Sequence, residues 1–111
     1  MASQNVLMLQ DETFEQEILT PGTVAVVDFW AEWCMPCKML SPVIDDLAEE
    51  FAGRVKIAKV DTDSCHDTAL RFGITSIPTV IIFRDGHVRK KFVGLQQKAD
   101  LRAAITEVME E

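Results

Sequence analysis

The pattern of apolar and polar positions divides the 111-residue chain into short apolar runs and longer stretches with helical spacing. The run at 24–30, interrupted only by Asp28, is typical of a strand covered on both faces, and 55–60 predicts a second buried strand beside it. Further strands are predicted at 5–9, where the pattern is weak, at 79–83 and at 88–93. The last two flank an Asp85-Gly86 turn, which predicts a β-hairpin.

Apolar residues at three- and four-residue spacing predict four helices. The longest begins near residue 34 and runs to about Phe51, with Gly53 closing it and Pro42 expected to kink it. The others are predicted at 11–19, at about 68–72 and at about 98–109. Strands that alternate with helices indicate a parallel section joined by right-handed crossovers, to which the hairpin adds an antiparallel edge. The predicted fold class is α/β, a mixed five-stranded sheet with helices on both faces.

Composition and charge exclude several classes of partner. The net charge of -7 argues against nucleic acid, because binding to a phosphate backbone needs a basic face. No apolar run approaches the ~18 residues of a membrane span, so we expect no membrane partner. The first residues carry no positive charge and no apolar segment of the kind found in signal peptides. We therefore expect a cytoplasmic protein with one domain over 1–111, in which about 1–4 form a flexible tail.

Two cysteines three positions apart, Cys34 and Cys37, stand at the head of the longest predicted helix. On a helix such residues share a face, close enough for a disulfide to form without backbone movement. Cys34 falls at the helix N-terminus, where a thiolate is favoured and the thiol pKa is lowered. We expect Cys34 to be exposed and Cys37 to be tucked behind it. In a cytosolic protein such a pair is more often catalytic or metal-binding than structural.

With these residues placed, the chain closely resembles the thioredoxin family over roughly residues 14–108. The shared stretches are 27–34, 36–38, 60–61, 72–74, 77–79, 85–86 and 93–94. The resemblance implies the thioredoxin fold, a three-layer α/β/α arrangement with a five-stranded sheet between four helices. It also implies a general protein-disulfide reductase, an enzyme in which Cys34 attacks a substrate disulfide and Cys37 resolves the mixed disulfide.

The resemblance also assigns residues around the redox pair. It implies that Asp28 is a buried carboxylate behind the cysteines, with Lys59 nearby, and that both belong to the catalytic set. It implies a cis peptide bond between Ile77 and Pro78, facing the cysteines. The implied substrate-binding residues are Trp33, Met35, Pro36, Ile77, Pro78 and Gly94.

The family resemblance implies partners as well as residues. They are a thioredoxin reductase, which would recharge the protein, and disulfide-containing substrate proteins. We expect a monomer with no tightly bound cofactor and no metal. One departure is Met35, since thioredoxins most often carry Gly-Pro between the cysteines. The pair between the cysteines helps to set the reduction potential, so the potential is not carried over from the family.

Other interpretations of the cysteines are open from the residues alone. Cys34 and Cys37 could be half of a zinc site, for which Cys65-His66 is the only other candidate pair. The domain could instead dock a partner without turnover, or act as an oxidant or isomerase. The third cysteine, Cys65, is predicted to be a loop residue without a redox role, the alternative being intermolecular pairing or a regulatory modification.

Overall fold

Nine secondary-structure elements lie along residues 3–111, the part of the chain that this computed structural model describes. They are β1 (Val6–Met8), α1 (Asp11–Ile18), β2 (Val24–Trp30), α2 (Met35–Glu50), β3 (Lys56–Asp61), α3 (His66–Arg71), β4 (Thr79–Arg84), β5 (His87–Val93) and α4 (Lys98–Met109). The predicted order is confirmed. Of the expected tail, residues 1 and 2 lie outside the described residues, whereas Ser3 donates its backbone N–H to Asp45 of α2 at 3.2 Å.

The five strands form one sheet in the order β1-β3-β2-β4-β5. β1, β3 and β2 are parallel, while β4 is antiparallel to β2 and β5 is antiparallel to β4. The antiparallel part is therefore larger than the predicted hairpin edge. The connection between β3 and β4 contains only the six-residue helix α3, about 9 Å long, and it brings the chain back to the end of the sheet where β3 finishes, so β4 runs antiparallel to β2.

Helices cover both faces of the sheet and divide the core in two. On one face α2 and α4 pack Leu40, Ile44 and Ile105 against Val26 of β2. On the other face Phe14 and Ile18 of α1 lie against alternate β2 residues such as Val27, together with residues at both ends of α3. Side chains alternate along a strand, so Asp28, two residues after Val26, lies on the face that α2 and α4 cover.

Helix α2 brings the cysteine stretch to the carboxyl end of β2. It is 16 residues long, with Cys34 as its N-cap and Pro36 in its first turn, where a missing N–H leaves no helical bond unmade. Pro42 lies within the helix, as predicted, and the kink expected there stays a prediction. Gly53 follows the helix with a φ of 80°, a left-handed conformation that glycine adopts without strain.

Candidate active site

Cys34 and Cys37 form a disulfide across the first turn of α2, with their Cα atoms 5.3 Å apart. Cys34 has extended backbone angles, as an N-cap residue has, and its sulfur accepts a hydrogen bond from the backbone N–H of Cys37 at 3.2 Å. N–H groups at a helix start have no helical acceptor. The geometry therefore offers an N–H donor and the positive end of a helix dipole to whatever charge forms on the Cys34 sulfur.

The expected contrast in exposure between the two cysteines is wrong for the oxidised protein. Cys34 is 4% exposed and Cys37 is 2% exposed. The cause is local packing, because Ala31, Trp30 and Ile77 surround the disulfide. What distinguishes the two sulfurs is their position at the helix end, since only that of Cys34 accepts the N–H of its partner.

Opposite the disulfide lies the loop that enters β4. The Ile77–Pro78 bond is cis, as the resemblance implied, and the Ile77 carbonyl oxygen is 3.9 Å from the Cys34 sulfur. The Pro78 carbonyl accepts the backbone N–H of Gly94 at 2.8 Å. The Pro78 carbonyl is therefore already paired within the protein. Pro78 itself is buried. The structure thus brings Cys34, Ile77, Pro78 and Gly94 together from three separate parts of the chain.

Exposed apolar side chains border the disulfide. Trp33 is 70% exposed and Met35 68%, and the Trp33 indole N–H donates to the Asp63 carboxylate at 2.9 Å. Pro36 is also exposed, and Ile77 is partly buried. Three exposed apolar residues were missed by the sequence reasoning: Met39, Val93 and Leu95. The available signals were the four-residue spacing of Met39 from Met35 and the apolar neighbours of Gly94.

Asp28 is a fully buried carboxyl group without a partner. Its relative exposure is 0%, and neither carboxylate oxygen has a hydrogen-bond partner among the described residues. Burial disfavours the charged form and raises the pKa of Asp28 from 3.8 to about 7, although the positive charge of Lys59 opposes the rise. Asp28 can therefore exchange a proton near neutral pH.

Lys59 lies beside Asp28 in the sheet, since the two are aligned partners in the parallel pairing of β2 with β3. Its ammonium group donates to the Ser41 hydroxyl of α2 at 2.8 Å and lies 5.0 Å from the centre of the Trp30 ring. Lys59 takes part in none of the ion pairs found within residues 3–111. Sequence reasoning placed Lys59 near Asp28 but missed Ser41, for which helical periodicity gives no signal.

Cys65 lies in the loop before α3, as predicted, and it is buried in the core. It is the N-cap of α3, it is buried, and its sulfur is 3.4 Å from the Leu9 carbonyl oxygen. Burial raises the pKa of its thiol, which lowers its reactivity. The neighbouring His66 is exposed. Within residues 3–111 no group of three or more histidine, cysteine or acidic side chains is arranged to hold a metal ion.

Two further observations concern the surface. A cavity of about 340 Å³ lies at the amino end of β2, opposite the cysteines, between the loops of Gly22 and Gly53, and no cysteine lines it. None of the helices in residues 3–111 is long and apolar enough to cross a membrane.

Comparison with known proteins agrees with this geometry. A family model described as Thioredoxin matches residues 5–107. Thioredoxin C-2 of Corynebacterium nephridii is 44% identical over 103 residues, which cover 93% of this chain and 95% of that protein. Thioredoxin of Pseudomonas aeruginosa is 40% identical over 101 residues, 91% of this chain and 94% of that protein. Thioredoxin of Allochromatium vinosum is 43% identical over 101 residues, with the same two coverages. The chain belongs to the thioredoxin family and is a thiol–disulfide oxidoreductase that reduces disulfides through its cysteine pair.

Proposed function

We propose that Cys34 is the attacking cysteine of a general protein-disulfide reductase and that Cys37 is the resolving one. The Cys34 thiolate attacks one sulfur of a substrate disulfide, which forms a mixed disulfide and releases the first substrate thiolate. The Cys37 thiolate then attacks the Cys34 sulfur and releases the second. The substrate gains two electrons and two protons, and the protein is left with the Cys34–Cys37 disulfide.

The observation that carries this assignment is the hydrogen bond from the Cys37 N–H to the Cys34 sulfur at 3.2 Å. A hydrogen bond to the charged form lowers a pKa, and the start of a 16-residue helix adds the positive end of its dipole. Cys37 lies inside the first turn, and its sulfur accepts no corresponding bond from residues 3–111. Its thiol therefore needs a base to lose its proton.

Asp28 is the proposed base. It is a buried carboxyl on the sheet face that α2 covers, and its pKa of about 7 matches a proton acceptor that works near neutral pH. Lys59, its neighbour across the strand pair, supplies the nearby positive charge. The family resemblance implied that both residues belong to the catalytic set.

The proposed substrate surface surrounds the disulfide. It consists of Trp33, Met35, Pro36, Ile77, Pro78 and Gly94. Exposed apolar side chains at Trp33 and Met35 support it, because contiguous exposed apolar area commonly marks a protein-binding site. Pro78 would contribute through the shape of the loop, since its ring is buried and its carbonyl is bonded to Gly94.

We further propose a thioredoxin reductase as the partner that restores the dithiol, and the cytoplasm as the compartment. A protein that reduces many substrates one after another needs a source of electrons that returns its Cys34–Cys37 disulfide to the dithiol after each turnover. A reducing compartment keeps such a pair in its dithiol form, which is the form that attacks.

Reduction of insulin with dithiothreitol as electron source tests the function. The wild-type protein should catalyse it, whereas a domain that only docks partners should bind insulin without turnover. Cys37→Ser should trap mixed disulfides that a reducing gel lane releases, and Cys34→Ser should trap none. Cys65→Ser is the matched control, because it removes a thiol outside the site and should leave turnover intact. Trapping by Cys34→Ser would reverse the assigned roles.

A further inference from the structure

The Ser41 hydroxyl, on the second turn of α2, is the hydrogen-bond acceptor that fixes the end of the Lys59 side chain. The Lys59 ammonium is 2.8 Å from the Ser41 oxygen and 5.0 Å from the centre of the Trp30 ring. A cation over an indole face is attracted to it, more strongly when both are removed from water. The ammonium thus has two favourable contacts, and neither of them is with a carboxylate.

The Asp28 carboxyl is a third possible contact for the Lys59 ammonium, and the structure does not form it. The two residues are aligned across the β2–β3 pair, and both Asp28 oxygens are buried without a hydrogen bond to any of residues 3–111. A buried carboxylate within reach of an ammonium normally gains much from a direct bond, and leaving either group unpaired is costly. The contacts with Ser41 and the Trp30 ring therefore hold the Lys59 ammonium in its present position.

We propose that Ser41 is a positioning residue for the exchange reaction, since with the Trp30 ring it holds the Lys59 ammonium off Asp28 and leaves that carboxyl free to take the Cys37 proton. The inference rests on the proposed role of Asp28 as the base. A direct ion pair would favour the charged carboxylate and would make it a weaker proton acceptor. Ser41 acts on the chemistry only through Lys59.

Lys59 is the one charge among residues 3–111 that shifts the pKa of Asp28. Burial and the Lys59 charge are the two causes that set the pKa of Asp28. The strands on either side present uncharged side chains to this region, Met8 of β1 beside Lys59 and Val80 of β4 beside Asp28. Helix α4 contributes apolar residues such as Leu101 to the same face. The remaining titratable or charged groups at neighbouring positions are Asp61 on β3 and Cys37, Lys38 and Asp45 on α2.

The test is Ser41→Ala, with the Asp28 carboxyl followed by NMR titration of the oxidised protein, in which neither active-site cysteine has a thiol proton. Loss of the hydroxyl leaves the unpaired Asp28 oxygens as the best acceptor for the ammonium, so the pKa of Asp28 should fall below its wild-type value of about 7. In single-turnover reduction of insulin by the reduced protein, the acid limb of the pH–rate profile should move down by about one pH unit.

Two further variants separate this role from a structural one. Ser41→Thr keeps the hydroxyl and should keep the wild-type titration and profile. Lys59→Met removes the ammonium, so the pKa of Asp28 should rise, and adding Ser41→Ala to it should have no further effect on the titration.

A Ser41→Ala protein whose Asp28 titration stays in place or moves upward would overturn the inference, and lower stability with an unmoved titration would show a merely structural serine. The titration needs no turnover. A wild-type protein that fails to reduce insulin would therefore refute the proposed function, whereas an active protein with an unmoved titration refutes only the role of Ser41.

Discussion

Replacing Asp28 by asparagine should stabilise the oxidised protein at neutral and alkaline pH, although it removes a group proposed to act in the reaction. Asparagine has nearly the same size, so the substitution leaves no cavity and only removes the titration. The unfolded chain should titrate near the ordinary value of about 3.9, whereas the native pKa is about 7. Below both values the carboxyl is protonated in each state and contributes no pH dependence.

The sign and size of the stability difference follow from the interval between the unfolded and native pKa values. Between about pH 4 and pH 7 the unfolded chain has lost the proton and the native protein still holds it, so the free energy of unfolding falls as the pH rises. Above pH 7 the penalty is constant. An interval of about three pH units at about 1.4 kcal/mol each corresponds to roughly 4 kcal/mol. Because Asp28 is fully buried, little solvent screening reduces this value.

Urea denaturation of both oxidised proteins from pH 4 to pH 9 measures the effect, with unfolding followed by tryptophan fluorescence. The advantage of Asp28→Asn over the wild type should be roughly 4 kcal/mol larger at pH 8 than at pH 4. Asp100→Asn is the control, because it makes the same change of charge at an exposed position of α4. A difference between wild type and Asp28→Asn that does not change with pH would refute the argument, and the case for Asp28 as a base would lose its support.

Three other substitutions compare Gly94, beside the disulfide, with Gly53 and Cys65, which lie away from it. Gly94→Ala and Gly53→Ala each place a side chain in open space at a left-handed φ, 94° and 80°, so urea denaturation should show a similar loss of about 1–2 kcal/mol for both. Only Gly94→Ala should slow insulin reduction, and equal turnover of the two variants would remove Gly94 from the substrate surface. Cys65→Ala should keep wild-type turnover and lower the free energy of unfolding by about 1 kcal/mol, because a buried sulfur is lost from the core. Alkylation of native Cys65 as fast as that of reduced Cys34 would contradict its burial.

Local patterns predicted the elements well because each pattern depends on residues that are close in the chain. The spacing of Cys34 and Cys37 implied a shared helix face, and the structure has them one turn apart at a helix start. A single carboxylate inside an apolar strand implied that Asp28 is buried. In each case the chemistry follows from one strand or one helix, without knowledge of what packs against it.

Contacts between elements were harder to predict, because they depend on how one element is placed on another. That Lys59 reaches Ser41 requires the register of α2 on the sheet, which no periodicity specifies. The burial of Cys34 depends on Ile77 and its loop, 43 positions further along the chain. The direction of β4 depends on the path of the whole connection from β3 to β4, which no local pattern specifies.

The antiparallel direction of β4 has a consequence for how the site is assembled. Because β4 is antiparallel to β2, its first residue Thr79 aligns with Phe29 near the end of β2, and Val93 at the end of β5 aligns with Thr79. One row across the sheet therefore joins the exit of β2, the entry of β4 and the exit of β5. Pro78 and Gly94 are the next residues beyond this row, and Cys34 follows Phe29 by five positions. A connection that carried the chain back along the sheet would start β4 at the far end, roughly 20 Å away. Every residue of the site would be retained, yet the Pro78 loop and the cysteines would lie at opposite ends of the domain.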